Sequence, residues 1–351
     1  MQSTQRKPGF YFSVAATLFA LCVVMLGAFT RLADAGLGCP DWPVCYGHIL
    51  WPSDAEEVAI ANARFPDTPV EHDKTWPEQV HRLLAASLGL FCITLLGAAL
   101  RQRFAKNNHN YPLKLPIALL VIVIVQGLFG MWTVTLKLWP QVVTAHLLGG
   151  FTTFSLLALL CFRLANSPWR LGAAALQAAQ KLRPLAIFAL FVLAVQIALG
   201  GWTTSNYAAL ACPDFPQCQT QWWPTMDFGR GFDFGQDIGP NYLGGIMDSA
   251  ARTAIHVSHR LGAVCVSVVL IILLVQLWRV GSPAPRRYAA ALLGLLLLQI
   301  GLGISNVVFA LPLYVAVAHN AVGALLAAAL LGLCYKLFSA EPDSQTKLSG
   351  S

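Results

Sequence analysis

Charge is what this sequence has least of. Asp, Glu, Lys and Arg supply only 11% of the 351 residues, against about a quarter in soluble domains, which excludes an ordinary soluble fold. Period-two alternation is missing too, so the apolar stretches do not read as the strands of a membrane barrel. No apolar stretch is broken midway by a proline or a polar segment, which argues against a transporter with its site at the bilayer midplane. The first stretch lacks a small-residue cleavage site and has only Arg6 and Lys7 ahead of it. It reads as a retained segment rather than a removed signal.

What is present is apolar length. Hydrophobic residues make up 56% of the chain, and eight runs reach the roughly 20 residues that a spanning helix needs. They lie at about 10–30, 80–100, 115–135, 142–162, 185–205, 255–278, 289–310 and 314–337. The chain therefore reads as an all-α integral membrane protein. With the N-terminus inside, fifteen of the 23 basic residues fall on inner segments and eight on outer ones. This is the positive-inside bias, and it accounts for the net charge of +7 without a nucleic-acid partner. The lipid bilayer is the partner instead, of the bacterial inner (cell) membrane type, with both termini cytoplasmic.

The spans repeat. Cys39-Pro-Asp-Trp-Pro-Val-Cys45 is matched by Cys212-Pro-Asp-Phe-Pro-Gln-Cys218, 173 residues on, and His146 by His319 at the same offset. His81 is matched by His259 at 178, because the second outer loop is five residues longer. Gln126 and Gln299 each precede a span histidine by 20. Two tandem four-helix bundles follow, 1–165 and 184–340, with an inner linker at 166–183 and a tail at 341–351. Four spans per repeat is an even number, so the halves keep one orientation and are expected to share a pseudo-two-fold axis along the membrane normal. The Ala and Gln content of the linker predicts an extra surface helix. Gly127, Gly130, Gly200, Gly201, Gly301 and Gly303 read as close-packing positions.

The histidines carry the chemistry. His81, His146, His259 and His319 all fall near the outer start of an even-numbered span, at similar depth close to the outer face. Paired imidazoles on facing helices of a bundle can hold a haem iron from both sides, which gives two sites, His81 with His146 and His259 with His319. The plainer reading is that each only hydrogen-bonds across helices, but four equivalent placements weigh against it. Zinc wants four ligands, and each half offers two histidines with few thiols at that depth. His48, His72 and His109 read as solvated loop residues.

Glu78 lies three residues before His81 on the same helical face, where it suits acid or base work; it also suits a helix N-terminus, as a complement to the dipole. The second half has His256 in its place. Arg82 and Arg260 directly follow the helix-start histidines, either to pair with haem propionates or to anchor at the interface. On the outer side Cys39 with Cys45, and Cys212 with Cys218, fit disulfides, as structural clips or with a redox role for the first pair. Cys22, Cys92, Cys161, Cys265 and Cys334 fall inside spans and read as core. Tryptophans at span boundaries, Trp202 among them, read as interfacial. The aromatic- and glycine-rich segment 219–249 is a possible lid.

Taken together, the eight spans in two repeats, the two outer cysteine pairs, the histidine on each even-numbered span and the cluster Glu78-Gln-Val-His-Arg82 resemble the haem A synthase family of cytochrome oxidase assembly enzymes. The resemblance covers about Phe10 to Phe338. It implies an oxidoreductase that converts a ring methyl of haem o to the formyl group of haem a. It also implies His81 and His146 as ligands of the substrate haem, His259 and His319 as ligands of a haem b, Glu78 as the catalytic carboxylate, and delivery of haem o from a haem O synthase. The electron partner is left open. A di-haem membrane cytochrome exchanging electrons with quinone is the alternative, and it gives Glu78 no task.

Overall fold

A computed structural model describes residues 6–343 of the chain. Eight of its helices are long and apolar enough to cross a membrane. In chain order the helices are α1 (Phe10–Leu32), α2 (Ala55–Arg64), α3 (His72–Leu100), α4 (Lys114–Thr135), α5 (Pro140–Ala165), α6 (Ala173–Lys181), α7 (Arg183–Ser205), α8 (Phe228–Gly231), α9 (Ser249–Arg279), α10 (Pro283–Val308) and α11 (Leu313–Phe338). The expected linker helix is α6. A short parallel pair, β1 (Arg170–Leu171) on β2 (Glu341–Pro342), ties the linker to the end of the last span.

Two boundaries differ from the sequence reading. The segment 32–77, expected as loop throughout, contains α2, whose first turn is capped by the Asp54 carboxylate accepting from Glu57 N–H at 2.8 Å. It also contains the start of α3, so His72 opens a helix rather than sitting in a loop. Pro77 falls in the second turn of α3, where it forfeits only one backbone bond. The polar residues around it pack on the loop before the helix reaches its apolar stretch, which is why hydropathy alone starts the span too late. His81 is consequently more than two turns into its helix.

The helices close into two rings. In one, α1 packs on α3 and α5, and α4 packs on both α3 and α5; in the other, α7 packs on α9 and α11, and α10 packs on both α9 and α11. The rings meet where α5 touches α7 and α11, and where α1 touches α11. Small residues such as Ala316, Gly323, Ala324 and Ala328 let α11 lie innermost, with 72% of its apolar window buried against 11–39% for the other spans. Each ring has its own apolar core, one around Leu157, Leu160 and Leu119, the other around Leu270, Leu273 and Leu330. The five span cysteines are free thiols; Cys92 and Cys334 are buried and Cys161 half-buried, whereas Cys22 and Cys265, read as core from sequence, lie on exposed faces of their helices.

The long segments between α1 and α3 and between α7 and α9 lie at the same end as the starts of α3, α5, α9 and α11, called here the loop face. The second segment does act as a cover, and it reaches over the other ring. Tyr242 N–H donates to Lys137 O at 3.1 Å, Trp139 Nε1 to Gln236 O at 3.1 Å and Gln141 Nε2 to Phe234 O at 3.1 Å. Trp202 is no interfacial residue: it is buried, with Nε1 donating to Gly231 O at 2.8 Å, because this segment folds down over it.

The first segment is pressed onto α3 at Gly38, where a Cβ would stand 2.4 Å from the Lys74 carbonyl oxygen, part of a helix that cannot yield. Gly38→Ala is therefore expected to lower stability by about 1–3 kcal/mol, read as an earlier thermal unfolding midpoint in detergent, whereas Gly89→Ala, which meets open space, leaves it unchanged.

Candidate functional site

Both cysteine pairs are disulfide-bonded, Cys39 to Cys45 and Cys212 to Cys218. Each closes a hairpin that continues in a two-bond bridge, Cys45 with His48 and Cys218 with Gln221. An aspartate ties each turn: Asp41 accepts from Tyr46 and Gly47 N–H at 2.6 and 2.7 Å, and Asp214 from Gln219 and Thr220 N–H at 2.6 and 2.8 Å. Tyr46 is buried against the rest of its segment, donating to Thr68 O and Pro69 O. Burial, with the carboxylates of Glu71, Glu78 and Asp41 nearby, pushes its phenol up to about 12.

Arg82 and Arg260 hold these hairpins. Arg82 donates to Asp41 O and Val44 O at 2.7 and 2.8 Å, and Arg260 to the equivalent carbonyls of Asp214 and Gln217 at 2.6 and 2.9 Å. Arg82 also pairs with Glu78, one turn earlier on α3. The other Glu78 oxygen accepts from Cys39 N–H at 2.9 Å. In the second ring His256 Nδ1 accepts from Cys212 N–H at 3.2 Å. Glu78 and His256 are each only 4% exposed. A carboxylate and an imidazole thus do one job at equivalent places, receiving the first N–H of a disulfide hairpin, and only the carboxylate also binds its arginine.

Beneath the hairpins lie the four histidines. His81 and His146 face each other with ring centroids 6.4 Å apart and planes at 89°. That separation leaves room for one metal atom bound through two nitrogens at about 2 Å each. Nδ1 of His81, His146 and His319 is buried without a hydrogen-bond partner, a costly state that contacts with a bound group would relieve. The neighbouring backbone is cut away to admit each ring. A Cβ at Gly27, Gly130, Gly200 or Gly303 would lie 2.7, 3.4, 3.1 or 3.1 Å from Cε1 of His81, His146, His259 or His319 respectively. Gly127 and Gly301, read from sequence as packing positions, meet nothing within 4 Å. Gly27 escaped the sequence reading, although it stands 173 residues before Gly200.

In the second ring the imidazoles have amide neighbours: Gln196 Nε2 lies 3.1 Å from His259 Nδ1, and Gln299 Nε2 lies 3.2 Å from His319 Nε2. Unpartnered imidazole nitrogens and glycine-lined ring beds fit a porphyrin iron, which His81 with His146 would hold in the first ring and His259 with His319 in the second.

The second hairpin's turn is set to respond to acid. The backbone N–H groups of Thr220 and Gln219 hold the Asp214 carboxyl below the usual carboxylate range. Its contribution is thus complete above that range and lost as pH falls through the depressed folded value. Acidification is expected to loosen the second hairpin and shift the emission of Trp222 and Trp223 at its tip. Asp214→Asn should abolish that step while leaving the first hairpin's behaviour unchanged.

Comparison with known proteins shows the family. A family model described as Cytochrome oxidase assembly protein matches residues 10–331. The chain is 44% identical to a Heme A synthase of Shewanella oneidensis, over 92% of this chain and 94% of that protein. It is 28% identical to a Heme A synthase of Rhizorhabdus wittichii, over 91% and 90% of the two chains, and 27% identical to one of Shouchella clausii, over 92% and 93%. The chain belongs, with these haem A synthases, to the cytochrome oxidase assembly protein family.

Proposed function

We propose that the chain is a haem A synthase, oxidising a ring methyl of haem o to a formyl group and so giving haem a for terminal oxidase assembly. The observation that carries this reading is the facing pair His81 and His146 beside a buried carboxylate that the second ring lacks. The haem A synthases similar to nearly the whole chain support it.

The two rings are tandem four-helix bundles, 1–165 and 184–340, joined by 166–183, followed by the tail 341–351 and related by a pseudo-two-fold axis along the membrane normal. Two contacts support the axis: Arg31 donates to Thr204 O, and Tyr207 Oη donates to Asp34 at 2.9 Å, both across the repeat offset of 173. Residues that touch their own counterparts lie on a two-fold. The basic excess at the end away from the loop face puts that face outside a bacterial inner membrane and both termini in the cytoplasm.

His81 and His146 hold the substrate haem; His259 and His319 hold a haem b. When bound, haem b supplies one-electron redox chemistry. Glu78, on the His81 face of α3, takes a proton from the methyl carbon as it is oxidised, and Arg82 stabilises the carboxylate that does so. The Cys39–Cys45 hairpin holds that carboxylate from the other side and keeps water off it. Cys212–Cys218 plays the matching structural part over the second site. Arg82 and Arg260 are turned mainly to loop carbonyls, so any propionate shares them. Haem o comes from a haem O synthase in the same membrane; with water as the source of the formyl oxygen, the methyl and one water give the formyl group, four protons and four electrons, and the electrons leave to a redox partner.

Glu78→Gln keeps an acceptor for Cys39 N–H but removes the charge. It is expected to leave both haems bound and stop conversion, with haem o extracted where the wild type yields haem a; wild-type yields of haem a would sink the assignment. His259→Ala is expected to deplete haem b selectively, and an unchanged haem b content would refute the pairing. Extraction of haem b alone from wild-type protein would favour the di-haem electron carrier.

A further inference from the structure

The duplication provides an internal control for one side chain. Gln196 on α7 places Nε2 3.1 Å from His259 Nδ1 and 3.0 Å from the His259 carbonyl, while its Oε1 is buried without a partner. The residue 173 earlier is Val23 on α1, a buried core residue whose side chain has no polar atom for His81 and which offers the ring only its backbone. The facing helix differs in step. A Cβ at Gly262 would lie 2.1 Å from Gln196 Oε1, so α9 admits the amide only because glycine stands there. Three residues after His81, as Gly262 is three after His259, stands Leu84, packed on the core cluster that contains Val23. One half sets glutamine against glycine and the other sets valine against leucine. Two positions on different helices have diverged together, as expected of one built feature.

We infer that Gln196, seated in the gap at Gly262, is a positioning residue for His259 and makes the second imidazole pair the fixed site of a resident haem; the inference rests on the haem reading above. A histidine that ligates through Nε2 carries its proton on Nδ1, and an acceptor for that proton fixes the ring and strengthens it as a donor. With the proton on His259 Nδ1, a half-turn of the Gln196 amide sets Oε1 against it, exchanging the bond from Nε2 to the His259 carbonyl for one to the ring. His81 has no such side chain beside it. Its ring is set by packing against Gly27 and by the Val23 backbone, with no side-chain amide to fix it, which suits a site whose occupant arrives as substrate and leaves as product.

The test uses the full chain purified with its haems, comparing Gln196→Val, the double variant Gln196→Val with Gly262→Leu, and Gln196→Glu. The double variant copies the first half and refills the space, so it remains informative if the single variant packs poorly. The readouts are haem b transfer to an excess of a competing apo-globin and the reduction potential of the haem b. Both valine variants are expected to hold haem b about 10- to 100-fold less tightly and to shift its potential upward, since a weaker donor favours the ferric state less. Gln196→Glu, which keeps an oxygen at that place, is expected to restore retention and bring the potential to or below the wild-type value. A double variant unchanged in both readouts would overturn this inference while leaving the haem reading standing. Wild-type protein that carries no haem would overturn the haem reading and this inference with it.

Discussion

Two half-buried arginines set the terms for the whole loop face. Arg82 and Arg260 enter their helices where polar sequence gives way to apolar sequence, and a guanidinium at that depth must be fully bonded or it becomes a liability. Each satisfies itself on carbonyls of a disulfide hairpin. Charge buried on a helix thereby fixes the height and rotation of a loop, and the hairpin in turn delivers one backbone N–H downward to Glu78 or His256. The imidazole pairs lie under a lid pinned at fixed points.

Much of this is legible in the residues. The eight spans follow from apolar length, and the duplication follows from matched cysteine, histidine and glutamine positions, because membrane insertion leaves few places where such residues are tolerated. What escaped does so for physical reasons. The helix α2 and the first turns of α3 are polar, so a hydropathy reading assigns them to loop, although Asp54 with Glu57 is a capping signal that could have marked α2. The partners of Arg82 and Arg260 are main-chain carbonyls, which carry no sequence signature. Gln196 sits in an otherwise apolar run and has no counterpart in the first half, so a search for matched positions passes over it.

The two halves share a scaffold and differ at few places near the sites. The hairpins, their aspartates, their arginines and the glycine beds of the four rings correspond almost residue for residue. Against that background, glutamate in place of histidine over one pair, and glutamine with glycine in place of valine with leucine beside the other, are large changes. They separate the pairs chemically: one gains a carboxylate, the other an amide. Duplication supplied two similar beds, and these few substitutions give them different chemical surroundings.

The segment between α7 and α9 belongs to the second ring by sequence, yet it fastens to the α4–α5 turn of the first at Lys137, Trp139 and Gln141. Traffic to and from the His146 end of the first pair therefore passes under a flap whose hinges belong to the other half. Lifting that flap means breaking bonds that span both rings, and the first half severed from its twin would lose this part of its roof.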